Sequence, residues 1–116
     1  MEISTKINDN CLIVKMRGEF DLHSVPEFKK RIIKIMAAHN LIHLVLSFKG
    51  VIFVDSSGLG AILGRYRELD KKGGKVFLIN LRPQVKKVFT LAGLLKIMQE
   101  YDSEETAIEQ LNKGGI

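Results

Sequence analysis

From Leu41 to Phe48 the chain is apolar at six of eight positions, and the apolar residues do not alternate with polar ones. Successive side chains of a strand point to opposite faces, so a strand with this pattern must be covered on both. That is the situation of an interior strand in a sheet sandwiched between helical layers. An amphipathic helical pattern precedes the run: Phe28, Ile32, Ile35 and Met36 recur at three- and four-residue intervals. Another follows it, with Leu59, Ile62, Leu63, Tyr66 and Leu69 on one stripe. Helix, buried strand and helix in succession call for parallel strands joined by right-handed crossovers.

The remaining elements fit this frame. Ile3 to Ile7 and Leu12 to Met16 alternate in polarity around Asn8-Asp9-Asn10, which predicts an antiparallel hairpin. Ser24-Val25-Pro26-Glu27 has the spacing of a capping box and predicts a helix from Val25 to His39. After a connection through Val51 to Val54, the second helix is expected to run to Lys72, where Gly73-Gly74 permits positive φ. Lys75 to Asn80 reads as a strand, Pro83 to Leu91 as a helix ended by Gly93, and Ile97 to Gln99 as a short strand. Asp102-Ser103-Glu104-Glu105 caps a last helix through Leu111. The expected fold is α/β, one domain over residues 1–116 with a frayed tail at 113–116. Its sheet is mixed, mostly parallel and four- to five-stranded, with an N-terminal antiparallel hairpin and about four helices.

Composition removes several classes of function. No apolar run approaches the ~20 residues that span a bilayer. The first residues carry no apolar run of signal-peptide length, so a cytoplasmic protein without membrane attachment is expected. The single Cys11 opens an apolar segment and reads as core. A net charge of +5 raises the question of nucleic acid. Its basic residues are scattered over several segments without interleaved aromatics, so they read as solvated helix faces.

Asp55-Ser56-Ser57-Gly58-Leu59-Gly60 lies where the apolar segment hands over to the second helix. Either serine suits an N-cap that accepts from the free N–H groups of the first turn. Two serines and two glycines also leave this end with little bulk, and Gly64 continues the bare strip one turn on. Such a surface permits close approach by another backbone, and a helix N-terminus tolerates an anion placed on Ser56.

Phe53-Val54-Asp55-Ser56-Ser57-Gly58-Leu59-Gly60 resembles the phosphorylation loop of the STAS-domain anti-sigma factor antagonists. Gly18-Glu19-Phe20-Asp21 is similar to that family's Gly-Glu-Leu-Asp element, and Val54 replaces its common Met conservatively. Gly73-Gly74, Pro83 to Phe89 and Leu91-Ala92-Gly93-Leu94 are also in register. Gly64-Arg65-Tyr66-Arg67 continues as in the sporulation branch that controls sigma F, whereas the general-stress, sigma-B branch usually has Thr after the phosphorylated Ser. The resemblance implies a non-catalytic switch that is monomeric when free. Unphosphorylated, it would bind an anti-sigma factor that is also a serine kinase and so release the sigma factor. Phosphorylation of Ser56 would end binding, and a PP2C-type phosphatase would restore it. The implied partner surface is Asp21, Asp55, Ser56, Ser57, Gly58, Leu59, Gly60 and Gly64, bordered by Gly93 and Leu94.

Rival readings are weaker. Gly58-x-Gly60-x-x-x-Gly64 lacks the dinucleotide spacing, and the following strand ends in Asn80 where an acidic residue would hold a ribose. A small serine hydrolase would need a triad from Ser56, Asp55 and one of His23, His39 or His43, without a nucleophile elbow. No cofactor is expected, and no metal, because no three ligands stand at suitable spacing.

Overall fold

The central apolar run becomes the middle strand of a five-stranded sheet ordered β1-β2-β3-β4-β5. The structure is a computed structural model that describes residues 1–114. The elements are β1 (Glu2–Asn8), β2 (Cys11–Phe20), α1 (Val25–Ala38), β3 (His43–Val54), α2 (Ser56–Asp70), β4 (Val76–Ile79), α3 (Pro83–Leu91), a 3-10 turn (Leu94–Lys96), β5 (Gln99–Tyr101) and α4 (Glu104–Gly114). β1 and β2 form the expected antiparallel hairpin, turning through Asp9 at φ 52°, and every other neighbouring pair is parallel.

Alternation along the strands sorts the core into two layers. Leu12, Val14, Leu44, Leu46, Val76 and Leu78 face α1, α2 and α3, meeting Phe28, Ile32, Ile62, Val85 and Phe89. Cys11, Ile13, Val45, Phe77 and Ile79 face the other way, toward Ala107, Ile108 and Leu111 of α4. Three helices thus cover one face and a single short helix part of the other. The tilted pair Phe20–Phe28 and the edge-to-face pair Phe48–Phe89, with centroids 4.8 and 5.2 Å apart, pin α1 and α3 to the sheet. The Cys11 thiol lies in the smaller layer, where burial pushes its pKa up to about 12, so it serves there as a small hydrophobe.

Several boundaries differ from the sequence expectation. Leu41 and Ile42 precede the strand, and Val51 to Val54, expected as a connection, extend it. β2 likewise runs on to Phe20, through irregular register against β3. The two form a long ribbon that outreaches β4, whose last partner on β3 is Ser47. α2 stops at Asp70, before Lys72, and β5 lies two residues later than Ile97 to Gln99, because Leu94 to Lys96 wind into a 3-10 turn. Ser103 caps α4 as expected, its Oγ accepting from Thr106 N–H at 3.1 Å. Of the expected frayed tail, Lys113 and Gly114 belong to the last turn of α4, and residues 115–116 lie outside the described residues.

The α2–β4 connection shows why two glycines stand together. Gly73 has φ 78°, the left-handed conformation that ends the helix. Gly74 packs against the chain: a Cβ there would sit 1.9 Å from the Ile42 carbonyl oxygen. Beside them the Lys75 N–H donates to Nδ1 of His43 at 3.0 Å. Burial, then the charge of Lys75, lowers the His43 pKa.

A depressed histidine pKa means that the unfolded chain takes up a proton before the folded one does. This stabilisation is present above the ordinary histidine pKa and is lost as pH falls below about 6.5. Thermal melts at pH 7.5 and 5.5 should show a drop in Tm that shrinks in His43→Asn, which keeps an acceptor for Lys75 but cannot charge. An equal drop in both proteins would remove His43 from the pH dependence.

Candidate functional site

The ribbon of β2 and β3 delivers two acidic residues to the same end of the sheet, Asp21 after β2 and Asp55 after β3. Asp55, with extended backbone, is the N-cap of α2. Its Oδ1 accepts from Gly58 N–H at 3.0 Å and its Oδ2 from Leu22 N–H at 3.2 Å. The backbone N–H of Asp55 donates to the Phe20 carbonyl at 3.2 Å. One residue therefore holds a helix start and the neighbouring loop together.

This corrects the expectation that Ser56 or Ser57 caps α2. Ser56 is the first helical residue, one position too late to cap, and Asp55 supplies a charged acceptor where the helix dipole favours one. Among the described residues neither serine hydroxyl has a hydrogen-bond partner, and Ser56 is exposed.

The Asp21 loop is ordered by its own bonds. Asp21 Oδ1 accepts from the N–H groups of His23 and Ser24, at 3.0 and 3.1 Å. The half-buried site opposes ionisation of Asp21, but these N–H groups, with nearby His23, outweigh it and hold the carboxyl below its ordinary pKa. The capping box expected at Ser24 does not form. Its hydroxyl accepts from Asp21 N–H at 2.9 Å and donates to the Glu19 carbonyl at 3.0 Å, so it braces the loop. Pro26, without an N–H, removes one donor that a cap would satisfy.

The bare strip divides into two kinds of glycine. Gly58 is buried, and a Cβ there would stand 2.5 Å from the Phe20 carbonyl oxygen, so it seats α2 on β2. A Cβ at Gly60 or Gly64 would meet nothing within 4 Å, which leaves both open to an approaching chain. Leu59 is half-buried against the core, and Leu94, expected at the surface, is 5% exposed and belongs to the core. Gly93, at φ 79°, sets the 3-10 turn in which Leu94 points inward. Sequence reasoning missed three exposed apolar residues near the site: Leu22, Ile52 and Phe53. Ile52 and Phe53 read as part of a connection, and their apolar character gives no sign of exposure. The only hint of exposure is the short β4, which leaves this end of β3 without a second neighbour.

The site lacks a triad. Both Asp55 oxygens are engaged by backbone, His43 bonds Lys75 at the opposite end of β3, and no described hydrogen bond joins a histidine to Ser56. Among the described residues, no group of three His, Cys, Asp or Glu side chains could hold a metal ion. No helix among them is long and apolar enough to cross a membrane.

The chain matches known proteins along nearly its whole length. The STAS domain family model matches residues 2–107, and the chain belongs to that family. It is 36% identical over 111 residues to the anti-sigma F factor antagonist of Paenibacillus polymyxa, covering 96% of this chain and 95% of the relative. It is 28% identical to the anti-sigma-B factor antagonist of Bacillus subtilis, over 94% of this chain and 98% of that one. The anti-sigma factor antagonist SpoIIAA, solved in its unphosphorylated form, superposes with a TM-score of 0.85 at 31% identity, covering 99% and 98% of the two chains. The phosphorylated form of SpoIIAA matches with a TM-score of 0.76 at 30% identity, covering 95% and 99%.

The capping geometry separates Asp55 from Ser56 in a stability measurement. Asp55→Ala should cost about 1 kcal/mol, the usual worth of an N-cap, and speed amide exchange at Leu22 and Gly58. Ser56→Ala should change stability by less than about 0.5 kcal/mol. Denaturant unfolding that ranked the two in the reverse order would return the cap to the serine.

Proposed function

We propose that this chain is an anti-sigma factor antagonist acting in the cytosol, a phosphorylation-controlled binding module without catalytic activity. Unphosphorylated, it binds an anti-sigma factor that is also a serine kinase and thereby frees the sigma factor. Phosphorylation of Ser56 by that kinase ends the binding, and a PP2C-type phosphatase restores it. The observation that carries this reading is the Ser56 hydroxyl, exposed and uncommitted at the first position of α2. Sigma F is the favoured target. Ser57, where the sigma-B branch usually has Thr, and Gly64-Arg65-Tyr66 support it, as does the higher identity to the sigma F relative.

The physical action is local. A phosphoserine brings roughly −1.5 to −2 charges at neutral pH, which the N-terminus of α2 tolerates, so the fold is retained. The partner bears the disruption. It would have to approach across Gly60 and Gly64 and cover a dianion that stands beside the Asp55 carboxylate. Burying that charge without a cationic partner costs several kcal/mol, and about 1.4 kcal/mol already means tenfold in affinity. Asp21, whose carboxylate stays ionised, supplies a negative contact for a basic residue of the partner.

Calorimetry against the anti-sigma factor tests this. Ser56→Ala should bind as the unmodified protein does, the phosphorylated protein at least tenfold more weakly, and Ser56→Asp in between. Asp21→Ala should lose about 2 kcal/mol of binding, as for a desolvated charge pair. Amide shifts on phosphorylation should stay within the Asp21 loop and the first turns of α2. Unchanged affinity of the phosphorylated protein, or shifts spread through both core layers, would contradict the mechanism.

A further inference from the structure

The face of the sheet that carries α4 is only half covered. α4 closes over Cys11, Ile13, Val45, Phe77 and Ile79, and beyond its N-terminus the face opens into a groove of about 520 Å³. That volume lies within the range of small-molecule sites, about 300–1,000 Å³. Its lining includes Lys15 and Arg17 of β2, Ser47 and Lys49 of β3, Asn80 after β4, and Glu104 of α4, beside apolar Ile3, Met16 and Ile79. Ser56 lies at the start of α2, which packs on the opposite face.

Three features make the groove more than an uncovered sheet. β3 carries one extra residue here: Lys15 pairs with Ser47, but Arg17 pairs with Gly50, so three positions of β2 oppose four of β3. Such bulges re-aim side chains and recur beside binding sites. The bulge is tied in place, with Arg82 Nε donating to the Lys49 carbonyl at 2.9 Å. Gly50 makes room for the arginine, because a Cβ there would lie 2.9 Å from Cβ of Arg17. The floor is polar: Ser47 is buried at 5% exposure, and Asn80, in the left-handed conformation at φ 59°, brings Nδ2 to 3.5 Å from its hydroxyl.

The charges do not cancel. Glu104 is taken by Lys6 at 2.6 Å and lies 4.0 Å from Lys15, while Glu2 reaches Arg17 only at 3.8 Å with both side chains exposed. No carboxylate among the described residues is within ion-pair distance of Lys49. Three cations, one of them a planar guanidinium fork, line the same groove as Ser47 and Asn80. A carboxylate is satisfied by one such fork, whereas a phosphate has oxygens for the fork and for both ammonium groups. We propose that this groove binds a small soluble phosphate ester through Lys15, Arg17 and Lys49, with Ser47 and Asn80 beneath it.

The proposal does not depend on the anti-sigma reading and is tested on the free protein. Glycerol 2-phosphate is titrated into labelled protein at ionic strength held constant with sodium chloride. Saturable amide shifts are expected at Lys15, Arg17, Ser47, Lys49 and Asn80. Sodium acetate should bind at least tenfold more weakly, and the double variant Lys15→Gln/Lys49→Gln should lose binding at least tenfold. Both lysines are exposed, and unchanged shifts in the core will show that the variant is folded. Shifts that sodium chloride reproduces, that centre on Ser56 to Gly58, or that persist in the variant would overturn the site. Sedimentation with phosphatidylglycerol vesicles, without saturable binding of the soluble ester, would assign the groove to a lipid headgroup and overturn it as well.

Discussion

Two hydrogen bonds to one carboxylate organise the functional end of this domain. Asp55 takes Gly58 N–H with one oxygen and Leu22 N–H with the other, joining α2 to the loop that carries Asp21. The joint works only because the two elements touch, and they touch because Gly58 has no side chain between α2 and the Phe20 carbonyl. A methyl group there would push the helix off β2 and stretch both bonds. Rigidity beneath the site has a consequence above it. With the cap made by Asp55, the exposed Ser56 hydroxyl has no hydrogen-bond partner among the described residues.

The two sheet faces divide the labour differently. Three helices seal one face and build the larger core, whereas α4 shields only the half over Val45 and Phe77. Lys15, Arg17 and Lys49 can remain hydrated on the uncovered half, while an apolar face of the same extent would invite association. The bulge that admits Lys49 is also where the long β2–β3 ribbon departs from regular register on its way to the functional end. The fold and the candidate site therefore share the same pair of strands.

Much of this was legible in the residues. The Leu41 to Phe48 run named the central strand, and the stripes Phe28-Ile32-Met36 and Leu59-Ile62-Leu69 named its covering helices, because a strand buried on both faces and a helix buried on one stripe each leave a direct trace. The loop with Asp55 and Ser56 was visible as a motif, but the roles within it were not. Asp, Ser and Ser in succession are all good caps, and only the backbone conformation decides which stands one residue before the first helical turn. Ser24 failed as a cap for a similar reason, since a tertiary contact to Glu19 claimed its hydroxyl. Leu94 looked like surface beside Gly93, and the 3-10 turn that buries it has no strong pattern of its own. The exposure of Ile52 and Phe53 depends on where β4 ends, which neither residue encodes.

With Asp55 as the cap both serine hydroxyls are uncommitted, and Ser56, exposed where Ser57 is half-buried, is the hydroxyl proposed for modification. This is tested most directly by incubating the protein with the anti-sigma kinase proposed as its partner and ATP, and mapping the phosphate by mass spectrometry. One phosphate per chain, on Ser56, is the predicted result. Phosphate on Ser57, or a chain that stays unmodified while a known antagonist is phosphorylated in parallel, would contradict it.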